Sequence, residues 1–274
     1  MTKPFQSQAL NSNVNGPMPT TLPIREDALL TQAKTDLAAA LRFAAQFGLN
    51  EGVCNHFSLA APGKDGTDTF LINPQGLHWA DISPSDMVTV DVDGNKLDGI
   101  HNVEPTAFFI HSRIHRSKAN ARCIMHTHMP YATALTVVTG GRLEWVSQNS
   151  LRFYDRVAYD SEYGGLALDD REGDRICSKL AGADVLFMAN HGVLICAESV
   201  AYAFDDLYYL ERACMVQVLA QSTGMPLREI APEVAALTAQ QFGAERQQST
   251  LHFEALKRSL DRQGPGWSGA LPAR

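Results

Sequence analysis

The sequence predicts one α/β domain built on a mostly antiparallel sheet, and three observations carry that expectation. Apolar residues recur at helical spacing in several long segments, short β-prone runs lie between them, and neighbouring runs are joined by Gly- and Asn-containing turns of the hairpin kind. No internal repeat and no Pro/Ser-rich linker interrupts the middle of the chain, so one domain is expected over two.

Residues 1–23, MTKPFQSQALNSNVNGPMPTTLP, are rich in Asn, Pro, Thr and Ser and lack the apolar stretch of a signal peptide, which predicts a flexible tail. From Arg25 the segment EDALLTQAKTDLAAALRFAAQFG predicts a helix, with Gly48 as its stop. HFSLAAP and TFLIN read as strands flanking the GKDGTD turn, and MVTVDVDGNKL as a strand running into an Asp-Gly turn. EPTAFFIHSRIHRS predicts a helix, because Pro105 is tolerated in a first turn and Glu104 suits the positive end of the helix dipole. ARCIMHTH is the next strand and YATALTVV the helix after it, while QNSLRFYDRVAYD fits either state. DDREGDRICSKLAG predicts an exposed helix with its charges on one side, and DVLFMANHGVLICAE two strands folded at Asn190-His191-Gly192. Glu198 to Gly224 reads as the longest amphipathic helix. The domain is therefore placed at residues 24–224. Residues 225–274 are read as a polar helical extension ending in RQGPGWSGALPAR, a tail outside the core and suited to contacts between subunits.

The 274 residues are 45% hydrophobic with a formal charge of -7, and they carry no long Lys/Arg run, which argues against a nucleic-acid surface and for a small-molecule substrate. No window approaches the ~18 continuous apolar residues of a membrane helix, so no membrane partner is expected. Five cysteines without a CxxC motif predict a reduced, cytoplasmic chain.

Chemistry enters at CIMHTHMPYATAL. A strand points residues i and i+2 to one face, so His126 and His128 are either alternating packing residues or two ligands of one metal. His191 lies beside Gly192 at a predicted turn and is the candidate third ligand. Three neutral imidazoles are a common way to hold a first-row divalent cation, and an open further position marks catalysis rather than a structural clip. His111 and His115 are spaced for one helix face but lack the intervening Glu of HExxH, so a surface or subunit-contact role is expected. His56, His78, His101 and His252 are given no metal role.

Glu104, then HTHMPYATAL, then NHGVL, in that order and spacing, resemble the class II aldolase/adducin family over roughly Leu29 to Thr223. GLNEGVCNHFSL resembles the family's Gly-Asn-x-Ser loop, LINPQGL its TPSG turn, and RVAYDSEYGGLALDDREGDRI is closer to the adducin head domain. The resemblance implies a three-layer α/β/α domain. It implies metal ligands at His126, His128 and His191, with Glu104 as a further ligand in the resting enzyme and as the catalytic acid/base. It also implies substrate contacts at Asn55, Ser58, Asn73, Gln75 and Gly76. One divalent metal per chain follows, Zn first with Mn, Co or Fe as alternatives, in a homo-oligomer, a tetramer with sites at subunit contacts. The implied activity is that of a divalent-metal-dependent, aldolase-type lyase acting on a small hydroxy-carbonyl or sugar-derived substrate through a metal-stabilised enediolate. Epimerase, decarboxylase and dehydratase chemistry, or a non-enzymatic adducin-like scaffold, are the alternatives. Glu104, which adducin heads lack, favours an enzyme.

Two departures shape the expected substrate. Asn73-Pro74-Gln75-Gly76 lacks the hydroxyl of TPSG, and Cys54-Asn55-His56-Phe57-Ser58 departs from Gly-Asn-x-Ser, which points to a non-phosphorylated or carboxylated substrate. One of Arg113, Arg116, Arg122, Arg142 and Arg152 is then available to meet an anion. No tyrosine aligns with the one that a neighbouring subunit supplies in the family's aldolases: Gln148 lies near that position, and Tyr154 and Tyr159 come later.

Overall fold

The computed structural model describes residues 22–62, 68–166, 170–264 and 266–269. Residues 1–21 of the predicted tail lie outside them, and Leu22 already opens the first helix, α1 (Leu22–Gln46). Gly48 ends that helix in the left-handed conformation, at φ +68°. With 25 residues α1, and not the 22-residue helix near residue 200, is the longest helix described.

The predicted hairpins form as a meander of β1 (His56–Pro62), β2 (Asp68–Ile72), β3 (Val88–Asp91) and β4 (Lys96–Asp98). Then follow α2 (Pro105–Ser117), β5 (Cys123–Thr127) and α3 (Pro130–Thr136). The ambiguous segment resolves into a 3-10 turn at Ser150–Phe153 and a strand, β6 (Val157–Asp160). The remaining elements are α4 (Asp170–Leu180), β7 (Val185–Met188), β8 (Gly192–Ala197), α5 (Val200–Gln221), α6 (Pro232–Ala244) and α7 (Gln247–Gln263).

All eight strands join one sheet in the order β4-β3-β2-β1-β5-β8-β7-β6. Every pairing is antiparallel except β6 with β7, which is parallel because α4 crosses between them. The central strands β5 and β8 are buried throughout, and their alternation divides the core between two faces. Cys123, Met125, Val193 and Ile195 pack with Leu37 and Leu41 of α1 and Phe204 and Leu207 of α5. Ile124, Leu194 and Cys196 pack on the other face with Ile110 and Ile114 of α2 and Ile176 and Leu180 of α4. Helices thus cover both faces of the sheet, the three-layer arrangement expected.

The C-terminal extension is helical, and its end, read as a tail outside the core, does not lie wholly outside it. Phe253 and Leu260, two turns apart on α7, and Trp267 beyond it are buried in the main core with α1 and α5. The indole N–H of Trp267 donates to Asp261 at 2.8 Å. These three apolar residues, spaced seven apart, seat this segment together with the half-buried Leu256. Among the described residues no helix is long and apolar enough to cross a membrane.

Candidate metal centre and substrate cavity

The alternation that sends Ile124 toward α2 sends His126 the same way, and His128 follows one residue past the end of β5. His191 sits in the turn from β7 to β8. Asn190 takes the left-handed conformation there, at φ +55°, which Asn tolerates. Gly192 is needed for a different reason: a Cβ on it would lie 2.5 Å from the carbonyl oxygen of Thr127 and 2.7 Å from the ring of His128. Its missing side chain lets β8 close onto the His-Thr-His segment. The three rings then form a near-equilateral triangle, with centroids 5.0, 4.8 and 4.9 Å apart. One nitrogen from each lies within 4.8 Å of the others.

Hydrogen bonding orients the rings. The Nδ1–H of His126 donates to the carbonyl of Val193 at 2.9 Å, and the Nδ1–H of His128 to the Glu51 carboxylate at 2.6 Å. Each bond leaves Nε2 as the lone-pair nitrogen, the tautomer of a metal-ligating histidine held by an outer partner. Nε2 of His128 is buried without a protein partner. Burial first, and then His191, His128 and His56, hold the proton affinity of His126 well below the usual histidine range. Burial, with the charge of His128 adding, brings His191 down to about 4. At neutral pH the rings of His126 and His191 are therefore uncharged. Three converging imidazole nitrogens, that of His128 buried without a protein partner, match the donor set of a divalent first-row cation.

Glu104 caps the start of α2. Nε2 of His56 contacts its Oε2, and the hydroxyl of Thr106 donates to Oε1 at 2.6 Å. The hydrogen bond from His56 is the main force holding this carboxyl below the usual carboxylate range; Thr106 adds to it and desolvation opposes both. Glu104 faces the cavity of the histidine triad, but its carboxylate is engaged by His56 and Thr106 and stands outside the cluster of converging atoms. His56, which the sequence left without a role, owes its place to register: β1 pairs with β5 so that His56 lies opposite His126, ring stacked on ring at 6.0 Å. Neither strand alone carries that information.

The cavity measures about 620 Å³. Asn55, Gln75 and Gly76 line it. Asn55 is left-handed at φ +76°; its Oδ1 accepts from the backbone N–H groups of Glu51 (3.2 Å) and His128 (3.4 Å), while its Nδ2 is buried without a partner. That amide is a donor available to a ligand. Asn73 does not reach the cavity. Its side chain accepts from the N–H of Phe57 at 2.8 Å and donates to the carbonyl of Asn55 at 3.4 Å, so it holds the loop that presents Asn55.

Ser58 does not reach the cavity either. It shares a face with His56 but lies one pleat deeper, fully buried under α2, with Oγ 2.6 Å from Nδ1 of His111 and 2.7 Å from Nε2 of His115. The expectation that His111 and His115 lie at the surface is thereby overturned. His111 is 2% exposed, and His115 stacks on Phe70 at 4.5 Å while its Nδ1–H donates to the carbonyl of Ala121 at 2.7 Å.

None of the five candidate arginines lines the cavity. Arg113 pairs with Asp174, Arg152 pairs with Asp205 and lies over Tyr209, Arg142 lies over Tyr159, Arg122 lines a separate depression, and Arg116 is exposed. Tyr154 packs on Trp145 and Tyr159 on Phe187, away from the histidines. Tyr163, which the sequence did not single out, does line the cavity, its ring 6.4 Å from that of His191.

The family described as Class II Aldolase and Adducin N-terminal domain matches residues 35–218. The chain belongs to this family. Among solved structures similar to it, an aldolase II superfamily protein from Pseudomonas syringae has a TM-score of 0.80 at 35% identity, over 86% of this chain and 95% of its own. The L-fuculose 1-phosphate aldolase from Glaciozyma antarctica PI12 has a TM-score of 0.76 at 26% identity, over 90% of this chain and 95% of its own. A relative named Decarboxylase NovR, from Streptomyces niveus, is 31% identical over 230 residues, 82% of this chain and 84% of its own length. Proteins similar to this chain thus carry the names aldolase, decarboxylase and adducin, the last including an alpha-adducin from Mus musculus that is 31% identical over 245 residues, 83% of this chain and 33% of its own length.

Proposed function

We propose that this member of the family is a divalent-metal-dependent, aldolase-type lyase acting beside the carbonyl of a small, non-phosphorylated hydroxy-carbonyl substrate. One observation carries the reading: three imidazoles converge on the wall of a cavity that also holds the ionised carboxylate of Glu104. His126, His128 and His191 would hold one divalent cation per chain, Zn²⁺ first, with Mn²⁺, Co²⁺ or Fe²⁺ as alternatives. When bound, such a cation supplies Lewis-acid polarisation of substrate carbonyl and hydroxyl oxygens, worth several kcal/mol.

Glu104 then has the proton work. Its lowered proton affinity keeps it ionised at neutral pH, so it begins as a base and returns the proton as an acid. His56 at Oε2 and Thr106 at Oε1 fix the carboxylate in place. Nδ2 of Asn55 and the side chain of Gln75 offer donors to a substrate oxygen. Decarboxylation draws on the same carbonyl polarisation, and the relative named as a decarboxylase makes it the nearest alternative reaction. A homotetramer in the cytoplasm is proposed for the assembly, on the strength of the family alone.

The test pairs elemental analysis of untagged protein with turnover. We expect about one divalent metal per chain in the wild type and in Glu104→Gln, almost none in His126→Ala, and a turnover lower by about 10²–10⁴-fold in Glu104→Gln. Full activity in Glu104→Gln refutes its acid/base role, and absence of metal from reconstituted wild type favours a scaffold.

A further inference from the structure

We infer that the cavity selects a substrate whose distal end is apolar, an aryl or branched alkyl group, over one ending in phosphate or carboxylate. The inference rests on reading the cavity as a lyase site and adds the part of the substrate that the reacting centre leaves undefined.

Charge is the first argument. No Lys or Arg is among the described residues that line the cavity, and the two carboxylates that do, Glu104 and Glu172, bring negative charge. The nearby guanidinium of Arg175 is consumed by Glu172 on one side and Asp160 on the other. A phosphate or carboxylate carried away from the reacting carbons would lose its hydration and find no cation to replace it, which is costly for any anion.

The second argument is the mouth. Val53, from the loop before β1, is 45% exposed, and Tyr163 and Leu166, from the segment after β6, are 53% and 74% exposed; all three line the same cavity. Single exposed apolar residues need no explanation, but three from two separate segments around one opening form a patch that water wets poorly. Ile110, 3% exposed, continues this apolar surface inward from α2. The volume of about 620 Å³ is the third argument. It falls within the roughly 300–1,000 Å³ of pockets that enclose drug-sized ligands, and leaves room beyond a small hydroxy-carbonyl unit.

The test uses full-length, Zn²⁺-loaded protein and three hydroxamates that share a metal-chelating group but differ in their tails: methyl, benzyl and phosphonooxymethyl. Calorimetric affinities are compared for wild type and the Val53→Ser/Leu166→Ser variant, whose changes lie on the exposed rim and leave the core intact. We expect the benzyl compound to bind wild type about 10–200-fold tighter than the methyl compound, the range that apolar complementarity supplies, and the phosphonooxymethyl compound no tighter than methyl. The variant should lose about tenfold of the benzyl preference with methyl binding unchanged. Tighter binding of the phosphonooxymethyl compound, or a benzyl preference that the variant retains while its oligomeric state changes, overturns the inference and makes the rim a contact between copies. Failure of all three compounds to bind sinks the metal-site reading and the inference together. Methyl binding without a benzyl preference sinks the inference alone.

Discussion

Two groups of histidines lie against the same face of the sheet, and they differ in how their ring nitrogens are spent. Under α2, His111 and His115 are sealed around Ser58. The carbonyl of Ala121 can only accept, so Nδ1 of His115 carries the proton; burial lowers this ring to about 4, so it is neutral and its Nε2 accepts from the Ser58 hydroxyl. The Ser58 oxygen then accepts from Nδ1–H of His111. Every bond runs one way, and a single lone pair, on Nε2 of His111, is left alone in the interior. In the triad the outer bonds to Val193 and Glu51 leave lone pairs that converge on one point beside a cavity. Spacing does not separate the two groups, since i, i+2 on a strand and i, i+4 on a helix both suit chelation; the destination of the second nitrogen does.

The sharpest way to break this comparison is to remove one ring from each group. His191→Ala should abolish metal retention, a loss exceeding the ~10–100-fold caused by losing only an outer partner of a ligand. His111→Ala should leave metal content at the wild-type level and lower the thermal midpoint instead, because it opens space beneath α2 and strips Ser58 of its donor. Metal analysis and thermal melts of both variants give the answer. Equal loss of metal would mean that the sealed group belongs to the centre.

That contrast also measures what the sequence could tell. His126 and His128 were legible because side-chain alternation along a strand is local, and His191 because a turn in a β-prone run is local. His56 was not, since its place depends on β1 pairing with β5 in the register that sets it opposite His126. The same register sends Ser58 beneath α2, where a motif comparison had given it to the substrate. His111 and His115 read as surface or subunit-contact residues because the glutamate of HExxH is missing between them, and only the tertiary structure brings the buried hydroxyl of Ser58 to their inward nitrogens. Trp267 escaped for the same kind of reason: a lone aromatic in a Gly/Pro-rich stretch declares no partner until α7 docks on α1 and α5. Glu104 was read correctly as a helix-start carboxylate, while its grip by His56 belongs to the tertiary structure.

Acid sharpens the comparison at the next scale. His115 is neutral in the fold, with its proton affinity lowered from 6.5 to about 4. The unfolded chain therefore takes up a proton below about 6.5 that the fold refuses, so this contribution is full at neutral pH and lost as the pH falls toward 4. The shift corresponds to about 3 kcal/mol over that window. Urea midpoints of metal-free protein between pH 7.5 and 4 should show the loss, with His191 contributing in the same direction. His115→Gln should flatten the slope between 6.5 and 4; an unchanged slope would contradict the neutral ring on which the direction of the Ser58 chain depends.

The finest test exchanges the outer partners of the two groups. In Ser58→Ala, the Nδ1–H of His111, which is buried, and Nε2 of His115, which is partly buried, both lose their partner, at a cost of about 1–3 kcal/mol of stability. Metal affinity should not move, because Ser58 has no bond to the triad. Glu51→Gln should do the opposite. Glu51 is exposed, so stability is indifferent to it, and the amide oxygen of Gln still accepts from Nδ1–H of His128, which keeps the ligating tautomer but removes the negative charge that makes the ring a better donor. We expect metal affinity to fall by about tenfold, the lower end of what outer partners contribute. If Glu51→Gln destabilised the fold and left affinity untouched, the Glu51 contact would be a surface ion pair like any other, and the claim that outer bonds aim the triad would rest on His126 and Val193 alone.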